Sequence, residues 1–174
     1  MIPPLEPLQA IDRLLAQAGI AYALGASGLL HALGLADDVH DWDLTTDASV
    51  DEVRRALDGL EYEWCGPSGI HTDHKARAFG GAVELIVRMG LRAPARDEIR
   101  IPTIETGRWN GIPLGSPAAW AVAYALMERD AKAEMLFSHL AEHPDPQGRA
   151  RMRAQLIPKD LAERLDPVTR GPRG

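Results

Sequence analysis

The sequence has few cysteines and no long apolar runs. Cys65 is the only cysteine among the 174 residues, so no disulfide can form within the chain. No uncharged apolar run approaches the roughly 20 residues needed to cross a bilayer. The first residues, Met-Ile-Pro-Pro-Leu-Glu-Pro, lack the basic start and apolar core of a signal peptide. We therefore expect a cytoplasmic protein that has no membrane partner.

Basic residues are outnumbered by acidic ones. The chain carries 19 Lys and Arg against 25 Asp and Glu, which gives a formal net charge of −6. This balance argues against bulk nucleic-acid binding, which depends on neutralising many phosphates. It is compatible with binding one nucleotide, whose charge metal ions can neutralise. The hydrophobic content of 45% is ordinary for a globular protein, and the length suits one domain with a small helical appendage.

The order of helix and strand signals predicts an α+β fold. Apolar periodicities alternate between helix and strand at the start, then indicate several strands, and finally indicate helices. We expect an α+β domain over residues 1–115, with a mixed β-sheet and flanking helices. A helical region with a loose tail is expected over residues 116–174.

Local signals place several element ends. Ser49 and Glu52 have the spacing of a helix capping box. Asn110-Gly111 is typical of a tight β-hairpin turn. Ser116-Pro117 predicts a helix start, and the pattern that follows predicts a helix running to about residue 140. A second helix is expected over about 148–156, with Pro158 ending it.

Asp41 and Asp43 are the first candidates for chemistry. On a strand, residues two apart point to the same face, roughly 6.5 Å apart along the chain. Carboxylates so placed suit two Mg²⁺ or Mn²⁺ ions, while the intervening Trp42 would point into the core. An Asp-x-Asp pair on a solvated surface is the alternative interpretation, and for the isolated motif it is the commoner one.

A candidate phosphate-binding turn lies upstream of this pair. Gly25-Ala26-Ser27 joins a short predicted strand, 20–24, to a helix start. Gly25 would let the backbone approach a phosphate, and Ser27 would offer a hydroxyl. A helix start adds free amides and the positive end of the helix dipole.

These two motifs together resemble a known signature. Tyr22-Ala23-Leu24-Gly25-Ala26-Ser27, followed fourteen residues after Ser27 by Asp41-Trp42-Asp43-Leu44, is similar to that of the DNA polymerase β-type nucleotidyltransferase superfamily. The similarity is good over residues 20–60 and loose over 80–135. It is strongest to the head domain of tRNA CCA-adding enzymes and poly(A) polymerases. Ala26 departs from the pattern, which usually has a second glycine there.

The resemblance implies two further site residues. A third carboxylate from a neighbouring strand helps activate the attacking hydroxyl in this superfamily, and Glu84, in an otherwise apolar strand, matches it. The alternative for Glu84 is an exposed acid paired with Arg77 across a hairpin. Lys132 lies in a segment similar to a basic helix that follows the head domain and would reach the triphosphate. A solvated helix lysine is the alternative for Lys132.

The function implied is metal-dependent nucleotide transfer. A nucleoside monophosphate would pass from a nucleoside triphosphate to a hydroxyl, with Mg²⁺ or Mn²⁺ as cofactor. The chain is too short for the helical body with which CCA-adding enzymes hold tRNA, so the resemblance implies a minimal member acting on a small-molecule or protein acceptor. A homodimer is compatible with the sequence. The alternative is a catalytically inactive module of the same fold that binds a partner or ligand, as in toxin–antitoxin pairs.

Overall fold

A seven-stranded mixed sheet forms the centre of the molecule. The computed structural model describes residues 1–93 and 97–166. The strands, in chain order, are β1 (Ala23–Leu24), β2 (Trp42–Thr46), β3 (Tyr62–Cys65), β4 (His74–Ala78), β5 (Val83–Val87), β6 (Gly90–Arg92), β7 (Glu98–Arg100), β8 (Gly107–Trp109) and β9 (Ile112–Leu114). The main sheet has the order β3-β4-β5-β2-β1-β9-β8, and β6 and β7 form a separate antiparallel pair.

Helices flank the sheet and make up most of the C-terminal part. They are α1 (Glu6–Gln17), α2 (Ala26–Ala32), α3 (Val50–Ala56), α4 (Pro117–Leu126), α5 (Asp130–Glu142), α6 (Pro146–Arg153) and α7 (Lys159–Leu165). A short 3-10 turn, Phe79–Gly81, joins β4 to β5. The expected α+β class, with a mixed sheet followed by helices, is confirmed. No helix within 1–93 and 97–166 is long and apolar enough to cross a membrane.

The two central strands run parallel and fix the register of the acidic residues. In the β2–β5 pair, Asp43 lies opposite Glu84 and Leu44 lies opposite Leu85. Because side chains alternate between faces along a strand, Asp43 and Glu84 share one face while Leu44 and Leu85 share the other. The two leucines and Trp42 are almost fully buried. The predicted inward orientation of Trp42 is therefore confirmed, and its indole nitrogen donates to the Pro4 carbonyl at 3.0 Å.

Two local predictions are confirmed in detail. The Ser49 side chain accepts from the Glu52 amide, and the Glu52 carboxylate accepts from the Ser49 amide, so both halves of the capping box are present at α3. The β8–β9 hairpin turns at Asn110 and Gly111, with φ of +50° and +79°. Positive φ at both positions matches the turn type that Asn-Gly favours.

The predicted long helix after Ser116 is wrong. The Ser116 hydroxyl caps α4 by accepting from the Ala119 amide at 3.0 Å, as expected. However, α4 ends at Leu126 and α5 begins at Asp130. Glu128 has a φ of +57°, and the Arg129 amide returns to the Tyr124 carbonyl at 2.8 Å. This is the usual geometry of a helix end, formed here without the glycine that would have revealed it.

The C-terminal helices also differ from expectation. The predicted second helix is α6, which begins two residues earlier than expected and is capped by Asp145 accepting from the Gly148 amide at 2.9 Å. Pro158 starts a further helix, α7, that the sequence analysis did not predict. The predicted loose tail lies largely in 167–174, outside the described residues. One hydrophobic cluster includes residues from both 1–115 and 116–166, and the proposed boundary between them stays a prediction.

Candidate functional site

Three carboxylates meet at the central strands. Asp41 lies directly before β2, Asp43 is on β2 and Glu84 is on β5. Each offers a carboxylate oxygen, and these oxygens all lie within 4.8 Å of one another. Within the described residues, this is the one group of three or more His, Cys, Asp or Glu side chains close enough to share a metal ion. The oxygen-only donor set is typical of Mg²⁺ or Mn²⁺ sites.

Burial and mutual repulsion disfavour charge on this cluster. Desolvation, followed by the neighbouring Asp41 and Glu84 carboxylates, raises the pKa of Asp43 to about 8. Desolvation and Glu84 also raise the pKa of Asp41 above its ordinary range. A bound cation would remove both penalties, because it compensates lost hydration and like charge together. The electrostatics of the cluster therefore fit a divalent metal.

Glu84 is also an ion-pair partner. Arg77 lies opposite Glu84 in the β4–β5 register, and its Nε is 2.8 Å from Oε1. The Lys75 ammonium is 3.6 Å from Oε2. The two interpretations of Glu84 thus describe one residue: it joins the carboxylate cluster and also pairs with Arg77. A basic side chain therefore lies close to each of its oxygens.

The glycine-serine turn lies beside the cluster, but its residues contribute differently. Ser27, in the first turn of α2, lines the same cavity as Asp41 and Asp43. Gly25 is absent from the residues that line it, and its amide donates to the Asp43 carbonyl at 2.8 Å. A Cβ at Gly25 would lie 2.1 Å from the Trp120 ring. Glycine at this position therefore allows close approach of an aromatic ring.

Ala26 occupies the position where the superfamily pattern has a second glycine. Its φ is +46°, in the left-handed region that costs an L-residue about 1–2 kcal/mol. The backbone conformation that favours glycine is present although the glycine is not. Ala26 therefore departs from the superfamily pattern in residue type but keeps the left-handed backbone conformation.

The C-terminal helices complete the cavity. Trp120 and Tyr124 on α4 and Lys132 on α5 line it together with the carboxylates, and its volume is about 300 Å³. The Lys132 ammonium lies 5.5 Å from the centre of the Tyr124 ring. Burial, and then Asp43, raise the pKa of the Tyr124 hydroxyl, which lacks a hydrogen-bond partner among the described residues. The structure thus places Lys132 on the cavity wall, and its role in triphosphate binding, with a solvated helix lysine as the alternative, stays a prediction.

Sequence reasoning assigned no site role to four ionisable residues that also line this cavity: His40, His71, Lys75 and Arg129. Lys75 shares a face of β4 with Arg77, since the two are separated by one residue, so alternation could have found it. His71 comes from the loop between β3 and β4 and had no comparable signal. A larger hollow of about 540 Å³, lined by Asp47, Glu52 and Arg55 among others, lies away from the carboxylate cluster.

Comparisons with solved structures agree with this architecture. A provisionally assigned nucleotidyltransferase from Thermotoga maritima superposes with a TM-score of 0.58 at 23% identity, covering 82% of this chain and 96% of that one. The aminoglycoside nucleotidyltransferase ANT(2″)-Ia, in complex with adenylyl-2″-tobramycin, superposes with a TM-score of 0.56 at 16% identity. That match covers 84% of this chain and 95% of the other. Neither a protein-family model nor a curated protein sequence matches this chain.

The chain therefore has the fold of the minimal nucleotidyltransferases. The fold expected from the resemblance at residues 20–60 is confirmed. The roles of Asp41, Asp43, Glu84, Gly25, Ser27 and Lys132 stay predictions.

Proposed function

We propose that this protein is a metal-dependent nucleotidyltransferase. It would transfer a nucleoside monophosphate from a nucleoside triphosphate to a hydroxyl of a small-molecule or protein acceptor. The observation that carries the proposal is the clustering of Asp41, Asp43 and Glu84 on the wall of a cavity that Ser27 and Lys132 also line. Carboxylates for a cation and groups for a phosphate thus face one space.

Asp41 and Asp43 are the proposed metal ligands, with Glu84 beside them. Mg²⁺ or Mn²⁺ held there would offset the charge of the triphosphate and polarise its α-phosphate. The fit rests on the donor set and on the raised pKa of Asp43, because a bound cation would offset the desolvation and the like charges that raise it. Lys75 and Arg77 each pair with one oxygen of Glu84 beside this cluster.

Ser27 and Lys132 are the proposed triphosphate-binding residues. The Ser27 hydroxyl would donate to a phosphate oxygen, and the Lys132 ammonium would pair with phosphate charge. Gly25 was predicted to let the backbone approach a phosphate, but its amide already donates to the Asp43 carbonyl. We propose that its role is to leave room for the Trp120 ring. These residues bind and orient the donor so that its α-phosphorus faces the acceptor hydroxyl.

We propose that the acceptor hydroxyl belongs either to a small molecule or to another protein. ANT(2″)-Ia holds an adenylylated tobramycin, and this chain covers 95% of that protein's length. A cytoplasmic location, a homodimer and the assistance of Glu84 to the acceptor hydroxyl stay predictions.

A thermal-shift titration tests the donor site. The protein would be titrated with ATP, CTP, GTP and UTP, each with Mg²⁺ or Mn²⁺. A ligand at 100 times its Kd adds about 2.7 kcal/mol to the native state, which is a shift of several degrees for a chain of this size. We expect a metal-dependent shift in the wild type that is lost in Asp41→Asn and kept in Asp58→Asn, an exposed acid outside the cavity.

Pyrophosphate release then separates the two functional candidates. A shift accompanied by pyrophosphate release in the presence of an acceptor supports the enzyme. A shift with no release from any acceptor favours the inactive binding module, whose motivating feature is the strained Ala26 in the phosphate turn. Absence of any shift with all four nucleotides would refute the proposed donor site.

A further inference from the structure

Lys132 is a basic side chain that shares the cavity with three acids but pairs with none of them. It lines the cavity together with Asp41, Asp43 and Glu84. Within residues 1–93 and 97–166, its ammonium forms no salt bridge with any carboxylate. Lysine has a flexible stem of four carbons, and opposite charges attract more strongly in a small cavity than in open water. The position of the Lys132 ammonium therefore needs a physical cause.

Lys75 provides a comparison within the same cavity. It also lines the cavity, and its ammonium lies 3.6 Å from Oε2 of Glu84. Arg77 pairs with the other oxygen of that carboxylate, at 2.8 Å. Both basic side chains of β4 thus pair with an acid of the cluster, as charge attraction predicts. Lys132 faces the same acids and remains separate from them.

The aromatic ring of Tyr124 is the group that the Lys132 ammonium contacts instead. The ammonium lies 5.5 Å from the centre of the ring, within the roughly 6 Å over which the face of an aromatic ring attracts a cation. This attraction is stronger where water is excluded, and Tyr124 is 3% exposed. The Tyr124 hydroxyl has no hydrogen-bond partner among the described residues. The contact with Lys132 is therefore made by the ring and not by the hydroxyl.

Packing on both sides fixes the Tyr124 ring in place. Trp120 lies one turn earlier on α4, and the centres of the two rings are 5.7 Å apart. Trp120 in turn packs closely against Gly25, which has no Cβ to displace it. Where α4 ends, the Arg129 amide donates to the Tyr124 carbonyl at 2.8 Å, and α5, which carries Lys132, begins one residue later. The break between the two helices thus brings the ammonium to a ring that is already held.

We propose that Tyr124 is a positioning residue whose ring keeps the Lys132 ammonium away from the carboxylate cluster. This inference rests on the proposed nucleotidyltransferase function. With its ammonium over the ring, Lys132 leaves Asp41 and Asp43 open to a divalent cation and stays available to pair with a phosphate of the donor. Without the ring, the ammonium would compete with the metal ion for the acids, and each incoming nucleotide would have to displace it. Tyr124 thus acts through Lys132 and touches no reacting atom.

Fluorination of the ring tests this role while keeping the ring itself. Fluorine atoms withdraw electrons from the ring face and so weaken its attraction for a cation. The variants are Tyr124→Phe and Tyr124→trifluorophenylalanine, and the same two changes at Tyr62, on the edge strand β3 outside the cavity, are the matched control. The first probe is Mn²⁺ alone, followed by electron paramagnetic resonance of the free ion at neutral pH. The second probe is Mg·ATP, followed by calorimetry.

The ring and the ammonium should show their coupling in the Kd values. Tyr124→Phe should bind both probes as the wild type does, because it keeps the ring face and loses a hydroxyl that has no partner. Tyr124→trifluorophenylalanine should raise the Kd for Mn²⁺ and for Mg·ATP by about 3- to 30-fold, the range that cation–π contacts span. In a Lys132→Met background the two Tyr124 variants should bind alike, because no ammonium remains for the ring to hold. Neither change at Tyr62 should alter binding.

The outcomes separate this positioning role from the function on which it rests. Equal Kd values for the two Tyr124 variants, or a difference between them that persists in the Lys132→Met background, would overturn the positioning role alone. A full loss of affinity already present in Tyr124→Phe would assign the effect to the hydroxyl and overturn that role as well. A wild type that binds neither Mn²⁺ nor Mg·ATP would overturn the proposed function and the positioning role with it.

Discussion

Replacing Asp43 by asparagine should stabilise the protein when no metal is bound. Asp43 is in the centre of the carboxylate cluster, where burial and two neighbouring acids raise its pKa to about 8. The folded state therefore holds the Asp43 proton more tightly than the unfolded state does. Asp43 does not affect stability below about pH 4, where both states hold the proton. Between about pH 4 and 8 the unfolded chain has lost this proton and the folded chain still holds it, so the free energy of unfolding falls as the pH rises.

The size of the effect follows from the pKa. Raising it from an ordinary value of 3.8 to about 8 corresponds to about 6 kcal/mol at high pH. Asp43 is half-buried and borders an open cavity, so solvent screening reduces this to about 2–3 kcal/mol. For a chain of this length, that is an increase of about 5–10 °C in Tm for Asp43→Asn at pH 8 in the presence of EDTA.

The assay is thermal unfolding of wild type, Asp43→Asn and the exposed control Asp58→Asn from pH 5 to 9. The gap between Asp43→Asn and wild type should widen as the pH rises and level off above about 8. Millimolar Mg²⁺ should narrow this gap in Tm, because only the wild type keeps all the proposed metal ligands and is stabilised by binding the ion. A metal-free Asp43→Asn that is less stable than wild type at pH 8, or a gap independent of pH, would refute the reasoning.

Three further substitutions test the packing around the site, each by urea denaturation. Gly25→Ala should cost about 2–3 kcal/mol, because its Cβ would overlap the Trp120 ring, and an unchanged midpoint would contradict that contact. Ala26→Gly should gain up to about 1 kcal/mol by relieving a φ of +46°, and a clear loss would argue against the left-handed conformation. Ser116→Ala should cost about 1–2 kcal/mol, because it removes the α4 cap and a buried hydrogen bond to Asp145; a neutral result would show that the cap is dispensable.

Much of the acidic site could be predicted from alternation and from resemblance. Asp41 and Asp43 are two residues apart, so a strand necessarily places them on one face. Glu84 stood out as an acid in an apolar strand, and the β2–β5 register places it directly beside Asp43. The capping box and the Asn-Gly turn were also predictable, because each depends only on residues within four positions of one another in the sequence.

The remaining walls of the cavity depend on contacts between distant segments. The strand order β3-β4-β5-β2-β1-β9-β8 is not the order of the sequence, so nothing local reveals that β5 lies beside β2. The break between α4 and α5 occurs at Glu128, without the glycine or proline that normally marks a helix end. That break ends the helix that carries Tyr124 and begins the one that carries Lys132. His71 likewise reaches the cavity from a loop whose sequence is merely polar.

The Gly25-Ala26-Ser27 turn and the C-terminal helices pack against each other at Gly25. The absence of a Cβ there lets Trp120 pack against the turn, and the Gly115 amide adds a 2.9 Å bond to the Leu24 carbonyl just before it. The strand that precedes Ser27 and the helix that carries Trp120 are thus held together at the site. Because Trp120, Tyr124 and Lys132 form a wall of the same cavity as the carboxylates, residues 1–115 alone would have an open, incomplete site. A ligand of this cavity would contact both the sheet and the C-terminal helices, which build it jointly.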